Sequence, residues 1–160
     1  MATLSPYRSL PAARRVALVT HALTTSREAR TLYVQRLVTR GRGFRAATLQ
    51  SWPADRLARE VVRLNAEAAA DELELLHLLY VELEPAIQVT FLDAAGVAHE
   101  NGRMADDLEP PYAGADDVRA AAAAVQAQHG DEGMRYLRTL ARYSPDGWPG
   151  IEGVVADLGG

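Results

Sequence analysis

Cysteine and lysine are both absent from this 160-residue chain. Without a thiol there is no disulfide framework, no thiolate nucleophile and no cysteine-ligated zinc or iron–sulfur site. The missing lysine makes every basic side chain an arginine, a bacterial-like usage in keeping with a GC-rich coding genome. Aromatic residues are scarce at 6%, so the core has to be built from Leu, Val and Ala. Long apolar runs are also lacking. Val16 to Leu23 is the longest near the N-terminus, contains His21, and is too short to span a bilayer or to form a strong signal-peptide core. A cytoplasmic protein without membrane association is the expectation. No glycine-rich phosphate loop of the Walker or dinucleotide type occurs, and no serine sits in a nucleophile elbow. With no catalytic signature, the reading leans away from an enzyme and calls for no cofactor.

What is present is a segregation of charge. Residues 1–64 hold 12 of the 17 arginines against three acids, a formal +9, whereas residues 65–160 hold five arginines against 18 acids, a formal −13. Such a split points to an anionic partner for the first half, either a nucleic-acid backbone or an acidic protein surface. The 48% hydrophobic and 24% charged content is that of a folded protein rather than a disordered one. At this length one domain is expected over residues 1–150, with a basic half (1–64), an acidic half (65–150) and an irregular tail over 151–160 docked by Trp148 and Ile151.

The pattern of breakers predicts a mainly α, single-domain bundle of five to six helices. Pro11 suits a helix first turn and opens a helix to about Leu23. Thr25-Ser26-Arg27-Glu28 reads as a capping box with Thr25 as the cap, starting a second helix that stops at Gly41. Pro53 opens another. A continuous helix from Pro53 to Glu84 would set Arg56, Arg59 and Arg63 at its positive end, against the helix dipole, so a break near Asn65 is expected. Beyond it Leu73, Leu76, Leu79, Tyr80 and Leu83 form the apolar stripe of the main core helix. Alternation of Ile87, Val89 and Phe91 with Gln88 and Thr90, followed by Asp93-Ala94-Ala95-Gly96, predicts one small β-hairpin over about residues 86–101. An alanine-rich helix from Asp116 to Gly130 and a last helix from Asp131 complete the set.

The leading functional candidate is a nucleic-acid-binding surface without catalysis. Arg36, Arg40, Arg42 and Arg45 cluster around a helix end and a glycine loop, where guanidinium groups can hold phosphates and Phe44 can stack on a base. Arg56, Arg59 and Arg63 recur at helical spacing and extend the patch. A helix-turn-helix label fits poorly, because Trp52-Pro53 falls where a recognition helix would continue. The competing reading pairs these arginines with the acidic helix 67–84 and the loop 106–117, inside one chain or between copies. That makes a homo-oligomer or an acidic protein partner the second candidate. The third is a metal-dependent hydrolase using Glu67, Asp71, Glu74 and His77, since Glu74 and His77 have the Glu-x-x-His spacing of helical metal sites. No second copy of that pair exists. His99 beside Glu100 is the one histidine–acid neighbour in a turn, and Glu109-Pro110-Pro111-Tyr112 has the form of a short extended docking segment.

Overall fold

A computed structural model describes residues 4–41 and 43–160, and every regular element among them is helical. In order these are α1 (Ala12–Thr25), α2 (Arg27–Arg40), α3 (Ala46–Gln50), α4 (Ala54–Arg63), α5 (Ala69–His77), α6 (Ala86–Ala95), α7 (Ala115–Tyr143) and α8 (Ile151–Gly159). A π-helical turn, Leu78–Leu83, prolongs α5. The chain forms two compact units, Met1–Leu75 and Leu76–Gly160, and passes from one to the other inside α5.

The mainly α expectation holds, with eight helices among the described residues in place of five or six, but the β-hairpin does not form. Residues 86–95 are α6, and the one β-type pairing among the described residues is an isolated bridge between Glu100 and Arg103. Alternation misled because the residues α6 buries, Ile87, Phe91, Leu92 and Ala95, also fit one face of a helix. Thr90 and Gln88 find partners that need no strand. The Thr90 hydroxyl donates to the Ala86 carbonyl, and Gln88 Nε2 donates to the Gly102 carbonyl. Asp93-Ala94-Ala95-Gly96 serves as a helix end. Gly96 adopts the left-handed conformation, its N–H bonds the Asp93 carbonyl and the Val97 N–H bonds the Leu92 carbonyl, which satisfies two otherwise free acceptors.

Within the first unit α1 packs along α4, and α2 lies against α1, α3 and α4. Leu18, Val19, Val34, Leu37, Leu57 and Val61 fill the space between them and are almost fully buried. The break at Asn65 occurs as expected, with Arg63 ending α4 and Asn65 in the left-handed region. One cap is displaced by a residue. Ser26 rather than Thr25 accepts from the Ala29 N–H, while the Thr25 hydroxyl donates back to the His21 carbonyl of α1.

In the second unit α7 packs on α6 and α8, and α6 also touches the π turn. Phe91 meets Tyr136 and Trp148 edge-on, with centroids 5.7 and 4.9 Å apart. α7 is two helical runs interrupted at Gly130, where the backbone leaves helical geometry. The predicted stripe is only partly inside: Leu76, Leu79 and Tyr80 are buried, whereas Leu73 and Leu83 are 45% and 42% exposed. Trp148 and Ile151 dock as expected, but residues 151–159 are helical rather than irregular.

Candidate nucleic-acid interface

Buried carboxylates lie around the start of α5. Glu67, just before α5, and Asp71 and Glu72 in its first turn are buried, and each meets an arginine. The Glu67 side chain has no exposed surface. The Tyr7 hydroxyl donates to its Oε2 at 2.6 Å, and the guanidinium groups of Arg8 and Arg15 each lie 3.6 Å from one of its oxygens. Arg8 also donates to Glu72 at 2.8 Å and to the Glu67 carbonyl at 2.7 Å. Arg36 grips Asp71 through both terminal nitrogens, and Asp71 accepts from the Ala68 N–H at 2.8 Å as well. Burial of a charge is costly unless it is paired and bonded, so these carboxylates are tolerated only because the arginines come with them. The hydrogen bond that Arg36 donates to the Asp71 carboxylate raises the Arg36 pKa above its ordinary value. Burial, then the bond to Glu67, raises that of the Tyr7 phenol.

The predicted arginine patch is therefore divided. Arg36 belongs to the internal network. Arg40 donates to the Asn65 carbonyl, a neutral acceptor that leaves its charge uncompensated. Arg59 and Arg63 are matched on their own helix, by Asp55 at 3.1 Å and Glu60 at 2.7 Å. Arg42 lies outside the described residues. Arg45 and Arg56 are exposed and have no carboxylate partner among the described residues.

Arg56 sits over the indole of Trp52 with its guanidinium carbon 3.9 Å from the ring centroid, a stacking distance. Phe44 meets the same indole edge-on at 5.8 Å. Its ring also lies against Gly41, where an added Cβ would fall 2.0 Å from Phe44 Cδ2, so only glycine fits there. Arg30 fixes the other side of this group by donating to the carbonyls of Gln50 at 3.0 Å and Trp52 at 2.6 Å. The result is a small aromatic centre held by Arg30 and covered by Arg56, with Arg45 exposed next to Phe44 in the chain, and none of the three is paired to an acid among the described residues.

Sequence reasoning found Phe44, Arg45 and Arg56 as site residues but not Arg30 or Trp52, and it gave no role in the pairing to Tyr7, Arg8 or Arg15. Trp52 carried a signal, since a tryptophan between Phe44 and Arg56 in a basic stretch is the residue on which an arginine stacks best. Pairing of Arg36 with the acidic helix 67–84 was the competing expectation and the Arg36–Asp71 pair agrees with it, but the parts played by Tyr7, Arg8 and Arg15 had no local signal, because the members of the network are up to 64 residues apart.

The other candidates are dispersed. Glu67 and Asp71 are buried and held by arginines, while Glu74 and His77 face solvent. Among the described residues no group of three or more His, Asp or Glu side chains is placed to hold a metal ion. His99 pairs with Asp93 at 2.6 Å instead of Glu100, and its Nδ1 accepts from the Gly102 N–H at 2.9 Å, which closes the loop after α6. No single helix among the described residues is long and apolar enough to cross a membrane. The chain matches no family model, and no curated protein or solved structure matches it either.

Proposed function

We propose that this is a non-enzymatic, cytoplasmic nucleic-acid-binding protein that contacts phosphates through Arg30 and Arg56 beside Trp52 and through Arg45, which follows Phe44 in the chain. The observation that supports this reading most is that these three charges have no acid partner among the described residues although the first unit makes four arginine–carboxylate pairings with buried carboxylates elsewhere. The first unit has 12 arginines against seven acids, a formal +5, and the second has five against 14, a formal −9. Internal pairing thus reduces the positive excess without removing it.

Fluorescence anisotropy of a labelled mixed-sequence oligonucleotide, titrated at several salt concentrations, tests the reading. Three neutralised phosphates give a log–log salt slope of about −2 on a single strand and about −3 on a duplex. Arg45→Ala together with Arg56→Ala should weaken binding and flatten that slope. Salt-independent binding, or binding unaffected by the double variant, would rule out this surface.

A second reading has an observation of its own. Asp106, Asp107, Glu109, Asp116 and Asp117 are all exposed on the second unit, where they offer an acidic face to the basic unit of another copy. Assembly by such pairing predicts a mass that rises at low salt and falls to the monomer at high salt. A monomer at low salt would eliminate it.

A further inference from the structure

The patch around Trp52 carries more than charge. We infer that its ligand is a single strand, with a base laid on the Arg56–Trp52 stack, rather than a duplex, an inference that rests on the proposed nucleic-acid binding.

A duplex reader needs a row of free cations along an exposed helix, so that groove and flanking phosphates are met together. α4 has the residues for such a row, Arg56, Arg59 and Arg63, on a helix about 15 Å long. The row is broken by its own carboxylates. Asp55 and Glu60 neutralise Arg59 and Arg63 in place, and Asp55 is itself 57% exposed, where it would face phosphates. α2 offers no free row in its place, since Arg36 is committed to Asp71, Arg40 to the Asn65 carbonyl and Arg30 to the carbonyls of Gln50 and Trp52. What remains is compact. The indole supports the Arg56 guanidinium at 3.9 Å, Phe44 braces the indole, and the bonds from Arg30 to the Gln50 and Trp52 carbonyls hold its backbone. A guanidinium plane backed by an aromatic ring is a platform for an unstacked base, which a duplex does not present.

The test compares one labelled sequence as a single strand, as its duplex, and as a single strand with abasic sites. The single strand should bind about ten-fold or more tighter than the duplex, and the abasic strand should lose a similar factor because its phosphates remain while its stacking partner is gone. Arg56→Lys keeps the charge and removes the plane, so it should bring single-strand affinity down to the level of the abasic strand without lowering the melting temperature. Equal or tighter binding of the duplex, or no abasic penalty, would overturn the inference and leave the phosphate reading standing. Failure of all three probes to bind would overturn both. Displacement of the strand by polyglutamate as effectively as by unlabelled strand would assign the patch to an acidic protein instead.

Discussion

Replacing Glu67 by glutamine removes one charge from the centre of the buried network and changes the side-chain volume hardly at all. The carboxylate lies wholly inside, takes a 2.6 Å hydrogen bond from Tyr7, and balances Arg8 and Arg15 at 3.6 Å. An amide cannot do the last of these, and its NH2 group would face a guanidinium or displace the Tyr7 donor. Breaking a buried pair by removing one partner costs about 3–5 kcal/mol. Arg8 and Arg15 keep 24% and 16% of their side-chain surface exposed, so water screens part of the loss and about 3 kcal/mol is the better figure. For a chain of this size that corresponds to a fall of about 6–12 °C in melting temperature. Thermal unfolding followed by circular dichroism reads it, with Arg59→Gln as a control that should leave the midpoint unchanged, since its pair is exposed. Tyr7→Phe alone should cost about 1.5–3 kcal/mol, the range for a hydrogen bond to a charged group. Combined with Glu67→Gln, its effect should be less than additive because the two share one interaction. A melting temperature for Glu67→Gln within about 2 °C of the parent would refute the assignment of Glu67 as the hub.

Three further outcomes are expected from the same packing. Burial first raises the phenol pKa of Tyr7, Tyr33 and Tyr136 above the ordinary 10.0, with Glu67, Asp71 and Tyr80 adding to it respectively. The folded state then holds protons that the unfolded state releases, so stability is full below about pH 10 and falls above it, by up to about 1.4 kcal/mol per pH unit for each group. Urea midpoints measured from neutral to alkaline pH check this, and Tyr136→Phe should shallow the decline. Gly133→Ala sets a Cβ 2.7 Å from the Val125 carbonyl oxygen and 2.8 Å from Val125 Cγ1, and backbone cannot yield cheaply, so a loss of about 1–3 kcal/mol is expected in denaturant unfolding. Gly153→Ala in α8 meets nothing within 4 Å and should instead stabilise by about 0.5–1 kcal/mol.

The helix boundaries were readable wherever a local device sets them. Pro11 and Pro53 lie at helix starts, Gly41 at a stop, and Asn65 and Gly130 at breaks, because each acts through its own φ, ψ or missing N–H and needs no distant partner. The fate of residues 86–95 was not local. Their pattern satisfies a strand and a helix alike, and the rings of Tyr136 and Trp148 against Phe91 favour the helix.

The same division governs the charges. Composition alone set the sign of each half, since 12 arginines against three acids cannot be neutral however the chain folds. Which of those arginines remain open to a ligand was decided by tertiary structure. The energy of an ion pair depends on distance and burial, and only folding brings Arg8 to Glu72, Arg15 to Glu67 and Arg36 to Asp71 while it leaves Arg30 and Arg56 beside an indole, and Arg45 exposed, with no acid to meet among the described residues.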